Sequence, residues 1–325
     1  MIRALAAAAA ALTLAAGWAT ATLAQDNYPS KQITILVGSP PGGPTDTFAR
    51  LVAPEMSKRL GQTVVVENRP GAAGGIAAQG TLQAPADGYT LWFTTTSHLV
   101  IPTIMRDPPP FARDALRPVA GVAYGPGALL ASPKAPFSTL EEFVAYAKAH
   151  PDELNFGSSG VGSNAHIVME RIMDQLGIKL THVPYNGNGP AMAALMANEV
   201  QVMGGDLGSA RGNIQDGTVK AISILALDRS SIAPGVKTAD ETGLLPGFNP
   251  VFYLGFVVRA ETPDPIVAKL NGVVDEALAE PAVKEQIEKA QFVVLGGAPE
   301  EFRKLYEDDA AATRPILEKL GLVGK

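Results

Sequence analysis

The residues best suited to chemistry in this chain are small and neutral, and they sit where an anion could be held. The stretch Gly38–Arg50 reads Gly-Ser-Pro-Pro-Gly-Gly-Pro-Thr-Asp-Thr-Phe-Ala-Arg. An apolar run, Ile33–Val37, precedes it, and a helical pattern with Phe48, Leu51, Val52, Met56 and Leu60 on one face follows. Gly42 and Gly43 let backbone approach a ligand closely, and the helix behind them aims unpaired N–H groups and a positive dipole end at it. Ser39, Pro41, Gly42, Gly43, Thr45 and Asp46 are therefore candidate contacts. The loop lacks the phosphate-binding lysine and the Gly-x-Gly-x-x-Gly spacing, so it does not read as a nucleotide site.

Four further turns repeat this logic. Gly157–His166 offers Ser158, Ser159, Gly162, Ser163, Asn164 and His166, whose hydroxyls and main-chain N–H groups can donate to a carboxylate without burying an arginine. Pro184–Pro190 offers Tyr185, Asn186 and Gly187. Thr94–Ser97 offers Thr95 and Ser97, and Met203–Asp206 ends in Asp206, which can bind a ligand hydroxyl or ammonium or cap the next helix. Catalytic chemistry finds less support. Neither His-Glu-x-x-His nor Gly-x-Ser-x-Gly occurs, and the four histidines, His98, His150, His166 and His182, are scattered. Ser163 and His166 could suggest a hydrolytic pair, but three residues apart on one helix they read as a capping or packing contact. Asp46 reads as a helix-start acid rather than a base. No metal or cofactor is expected.

The elements that must position these loops alternate between strand and helix. Strands are expected at Val64–Glu67, Thr90–Thr95, Asn155–Phe156, Leu180–Val183, Val200–Met203, Ala221–Ala226 and Phe252–Val258. Helices are expected at Ile76–Leu82, from a Ser138/Glu141 capping box to Ala149, after Asn164, and from Pro190 to near Asn198. Three more are expected at Pro265–Ala279, Pro281–Ala290 and Pro299–Leu320, the last with Asp308 and Asp309 on its exposed stripe. Trp92 reads as a strand core residue. This order implies an α/β fold with mostly parallel sheets flanked by helices and ligand loops at strand C-terminal ends. The Pro/Gly-rich passages Arg106–Pro126 and Ala233–Pro250 read as crossings between a discontinuous domain, 25–124 with 251–325, and an inserted one, 125–250. The alternative is one larger domain with long loops.

Arg3, the apolar Ala4–Ala16 and the small-residue site Thr22-Leu23-Ala24 form a cleavable secretory leader over residues 1–24, so the mature chain starts near Gln25. Removing Arg3 takes the 26 basic residues to 25 against 32 acidic ones. That acidic balance, without a basic cluster, speaks against nucleic acid and anionic membrane surfaces. With no cysteine, disulfides and thiol catalysis are excluded, and roughly 300 mature residues suffice for two cores without covalent staples.

Together these segments resemble the Bug-type periplasmic solute receptors of tripartite tricarboxylate transporters. The resemblance runs from Tyr28-Pro29 to the last helix. It is carried by Pro40-Pro41-Gly42-Gly43-x-x-Asp46 with Ala49-Arg50, by Glu67-Asn68-Arg69-Pro70-Gly71-Ala72, and by Pro85-x-Asp87-Gly88-Tyr89-Thr90-Leu91. Gly162-Ser163-x-x-His166, Val183-Pro184-Tyr185, Arg229 and Thr238–Gly243 complete it. The resemblance implies a type II-like, two-domain flytrap with the ligand cleft between its domains. The ligand would be a small organic acid, gripped by Ser39–Asp46 and closed over by Ser158–Asn164, Asn186–Gly189 and Asp206. It implies a monomeric periplasmic receptor, not an enzyme, that serves integral-membrane transporter subunits; a ligand sensor feeding a membrane signalling receptor is the alternative. Gly38-Ser39 stands where the family usually has proline and an aromatic, which should widen one pocket wall, and Arg259 replaces a commonly small residue.

Overall fold

Among the described residues these segments build eleven strands and ten α-helices, and the hydrophobic pattern decides which faces they cover. The structure, a computed structural model, describes residues 28–250 and 252–324, so the expected leader lies outside the described residues. Ile33–Val37 (β1) pairs in parallel with Val64–Asn68 (β2) and Thr90–Thr95 (β3). Ile33, Ile35 and Val37 face one hydrophobic cluster, while Leu36 and Trp92 face another on the opposite side. This is the period-two alternation of a sheet buried on both faces. The helix after β1, Pro44–Leu60 (α1), packs Phe48, Val52 and Met56 into the first cluster. Gly75–Gln83 (α2) and Thr96–Met105 (α3) cover the other side.

The sheet is completed by Leu116–Gly125 (β4), Phe252–Arg259 (β10) and Val293–Val294 (β11), in the order β11-β4-β10-β3-β1-β2. The second sheet contains Gly127–Ala131 (β5), Asn155–Ser158 (β6), Thr181–Pro184 (β7), Val202–Asp206 (β8) and Lys220–Leu225 (β9), in the order β7-β6-β8-β5-β9. Leu140–Ala149 (α4), Asn164–Leu176 (α5), Asn188–Ala197 (α6) and Arg211–Gln215 (α7) belong to this part of the chain. Asp264–Leu278 (α8), Pro281–Lys289 (α9) and Pro299–Lys319 (α10) follow β10.

Several expectations change in detail. Both sheets are mixed rather than mostly parallel in their pairing, because β10 is antiparallel to β3 and β4, and β5 is antiparallel to β8 and β9. The cause lies in the crossings. Only Pro126 separates β4 from β5, so the chain moves from one sheet to the other without a helix that would reset its direction. The passage Arg106–Pro126, expected to be loose, contains β4, a central and almost wholly buried strand. Its Pro118 is tolerated beside a register shift at Phe256/Val257.

The capping box of α4 falls one residue late. Thr139, not Ser138, caps the helix by accepting the Glu142 N–H, while Glu142 accepts from the Ser138 N–H at 2.7 Å. Asp309 is not on an exposed stripe, because α10 packs against α5. Burial pushes its carboxyl up, and the nearby Arg171 guanidinium pulls it back in part. Trp92 is fully buried, as its pattern requires.

Candidate functional site

A cleft of about 250 Å³ opens where the starts of four helices meet. Pro44 and Thr45 come from the first turn of α1, Ser97 from α3, Asn164 and Ala165 from α5, and Asn188 from α6. The first N–H groups of each helix have no intrahelical partner, and each helix presents its positive dipole end. Glycines 125, 127, 204 and 205 line the floor with backbone, Ser209 adds a hydroxyl, and Val168, Leu225 and Pro250 add an apolar side. No lysine or arginine lines the cleft. Its donors are neutral hydroxyls, amides and main-chain N–H groups, a set matched to one small carboxylate rather than to a polyanion.

Of the anticipated contacts, Thr45, Ser97, Ser159, Asn164 and Asp206 line this cleft. Several others hold the loops instead. Asp46 is 4 % exposed; its Oδ2 accepts the Gly42 N–H at 3.0 Å, and its Oδ1 accepts Arg50 Nε and Asn68 Nδ2, each at 2.9 Å. Burial raises its carboxyl, but the bonds from Gly42 and Asn68 and the charge of Arg50 outweigh that and hold it below the usual carboxylate range. Asn68 also donates to the Ser39 carbonyl at 3.1 Å. Gly42, at φ +95, takes a conformation that only glycine adopts without strain. Asp46 therefore shapes the first loop from behind, with Gly42, Gly43, Ser39 and Pro41 in the turn it closes.

The second loop is organised similarly. Ser163 caps α5 by accepting the His166 N–H at 3.3 Å. Thr95 does the same for α3 with the His98 N–H at 3.2 Å. His166 Nδ1 accepts the Gly162 N–H at 3.0 Å, so its ring is not hydrogen-bonded to the Ser163 hydroxyl. The Ser163/His166 hydrolytic pair has no geometric support. Ser158 does meet a histidine, His182 Nε2 at 2.7 Å, but Ser158 is fully buried and cannot reach a substrate. Tyr185, Asn186 and Gly187 lie just ahead of α6, yet the loop reaches the cleft through Asn188.

Asp206 places Oδ1 on the Ser209 N–H at 2.7 Å, while Oδ2 is buried without a partner. Burial raises its carboxyl, and the Ser209 bonds lower it only in part. Neither Gly38 nor Ser39 is among the residues that line the cleft. A Cβ on Gly38 would lie 2.8 Å from Gly74 Cα, so a neighbouring loop already fills that space. Arg259 is remote from the cleft: it donates to the Ala84 carbonyl and pairs with Glu261. Among the described residues no cluster of metal-ligating side chains occurs, and no helix is long and apolar enough to cross a membrane.

Residues missed at the sequence level, such as Val168, Leu225 and Pro250, carry ordinary core or turn signals. They line the cleft only because it gathers residues from β4, α1 and α3 together with β8, β9 and α5.

The fold is shared with known proteins. Residues 48–322 match the Tripartite tricarboxylate transporter family receptor, TctC. The chain belongs to that family. It is 32% identical to the protein BugT of Bordetella pertussis, covering 93% of each chain. It is also similar to MatC of Rhodopseudomonas palustris solved with bound malate, at 33% identity and TM-score 0.73, over 89% of this chain and 100% of that one. An R. palustris protein solved with adipate is 26% identical with TM-score 0.77, over 92% and 100%. The expected family and the two-sheet binding-protein fold thus hold.

Proposed function

We propose that this chain is an exported, non-enzymatic receptor that captures a small organic carboxylate and presents it to integral-membrane transporter subunits. The observation that carries this reading is the convergence of four helix N-termini on one cleft whose lining contains no cationic side chain. Such a site stabilises a carboxylate through oriented N–H groups and dipoles. Its capacity also fits acids of the size bound by the malate and adipate relatives. Residues 25–124 with 251–325 form one lobe in this reading and 125–250 the other, joined at Pro126 and near Phe252. Residues 1–24 are the leader that takes the chain to the periplasm, where it acts as a monomer. Thr45, Ser97, Ser159, Asn164, Ala165 and Asn188 contact the ligand, and the differential contacts of the second lobe favour the closed form.

The test is a thermal-shift screen of the exported protein against malate, succinate, adipate, citrate, aromatic acids and amino acids. Binding to the folded state raises Tm by mass action. A narrow set of carboxylates that raises Tm supports the receptor reading. No shift with any acid, in folded and ligand-free protein, overturns it. Co-purification with a multi-span permease rather than a membrane sensor separates transport from signalling.

A further inference from the structure

Behind the α5 wall of the cleft lies a stack of three rings. His166 and His182 are face to face, with centroids 3.9 Å apart and planes 9° apart, and Phe156 lies beside both, 4.7 Å from His182 and 6.0 Å from His166. Their nitrogens are assigned by their partners. His166 Nδ1 accepts the Gly162 N–H at 3.0 Å, so its ring proton sits on Nε2, which faces Glu170 Oε1 at 3.6 Å. The Ser158 hydroxyl donates to the Gly160 carbonyl at 3.0 Å and accepts the Gly160 N–H at 3.1 Å. His182 Nε2, 2.7 Å from the same oxygen, therefore donates to it.

These bonds land on the two points where the loop turns: Gly160 at φ +132 and Gly162 at φ +73. Between and after them stand Ser159, Asn164 and Ala165, which line the cleft.

We propose that His166 and His182 are positioning residues for ligand capture, whose stacked rings hold the 158–163 turn in the shape that presents this wall to an anion. The proposal rests on the reading of the cleft as a carboxylate site. The bond from the Gly162 N–H uses the lone pair of His166 Nδ1, and the bond to Ser158 uses the proton of His182 Nε2. Burial and the neighbouring His166 hold His182 down at about 4, against a smaller upward pull from Glu170. Glu170 is the acid facing the stack, and Lys319 of α10 faces Glu170 in turn while pairing with Asp174. Phe156 on β6 brings no charge.

The test uses His166→Phe and His182→Phe, which keep a stacked ring and remove its polar contact, and His166→Gln, which restores an acceptor. Affinity for L-malate at pH 7.5 and amide exchange at Gly160 and Gly162 are measured on the exported protein. His166→Phe and His182→Phe should each weaken malate binding about tenfold, the loss of one well-placed hydrogen-bonded support. Exchange should quicken at Gly162 in His166→Phe and at Gly160 in His182→Phe. His166→Gln should recover most of both affinity and protection, which general destabilisation would not do.

Unchanged exchange in the phenylalanine variants, or accelerated exchange with unchanged affinity, would overturn the proposal. If a phenylalanine variant does not fold, wild-type-like affinity and exchange at Gly160 in Ser158→Ala, which removes the acceptor of His182, would overturn it too. Should wild-type protein bind neither malate nor any acid of the panel, the carboxylate reading fails, and exchange at the two glycines alone decides whether the rings hold the turn.

Discussion

The two walls of the cleft present the same face and are built on unlike supports. Each offers helix starts: α1 and α3 on one side, α5 and α6 on the other. Behind α1 stands a charged network, in which Asp46 gathers Gly42, Arg50 and Asn68. Behind α5 stands a neutral one, in which stacked imidazoles and a buried serine hold the glycine turn. An anion cradle made of main chain has little stiffness of its own, so each loop needs a second layer that fixes where its N–H groups point. The difference teaches that this layer can be ionic or aromatic. The choice sets how each wall responds to mutation and to pH.

The largest expected effect strikes the ionic side. Asp46→Ala leaves the Gly42 N–H and Arg50 Nε without their acceptor and Asn68 with the Ser39 carbonyl alone, at a cost of about 2–3 kcal/mol. Carboxylate affinity should fall about thirtyfold to a hundredfold by calorimetry, while circular dichroism stays that of a folded chain. A loss below about twofold would show that the first wall does not depend on this network.

Next is the helix cap of the opposite wall. Ser163→Ala removes the acceptor of the His166 N–H and should cost about 1 kcal/mol, or roughly fivefold in affinity. Equal losses in the two variants would erase the distinction between the walls.

The pH response sharpens the comparison further. His182 is held at about 4 in the fold, below the ordinary imidazole value of about 6.5. The unfolded loop therefore takes up a proton first, and the stability His182 provides is lost as pH falls from about 6.5 toward 4. Asp46 has a depressed folded pKa, so its contribution is complete above about 3.9 and is lost only as pH falls through its still lower folded value. Protection against amide exchange, taken relative to the intrinsic rate at each pH, should fall at pH 5 relative to pH 7.5 in residues 156–166 and stay constant in residues 38–50. Parallel changes in both segments would contradict the separate supports.

The smallest effect is expected at Arg259. Its contacts are to Ala84 and Glu261, so Arg259→Ala should change affinity by less than about twofold, since exposed ion pairs contribute little.

These supports explain which parts of the molecule were legible in the sequence. The α/β order was readable because β1 and β3 carry short apolar runs and α5 a helical apolar pattern. The strand β4 was not: its three preceding prolines, Pro118 and two glycines look like a loop, and only pairing with β10 and β11 makes it a strand. The Gly/Ser turns pointed to the region where the cleft lies, since helix starts advertise themselves through their caps. Individual roles were less visible. Asp46, Ser158 and His166 are polar residues in polar loops, and nothing in one dimension distinguishes a side chain facing a ligand from one holding the loop from behind. The partnership of His166 with His182 is invisible for the same reason, since β7 brings it from outside the motif.

The central claim is that main-chain N–H groups at helix starts, rather than a basic side chain, hold the ligand. The direct measurement is a crystal structure of the exported protein with the acid that gives the largest thermal shift. Carboxylate oxygens should lie within hydrogen-bond distance, directly or through one water, of N–H groups in the first turns of α1 and α5. No lysine or arginine should be in contact. A carboxylate paired with an arginine or lysine, or bound outside this cleft, would contradict it.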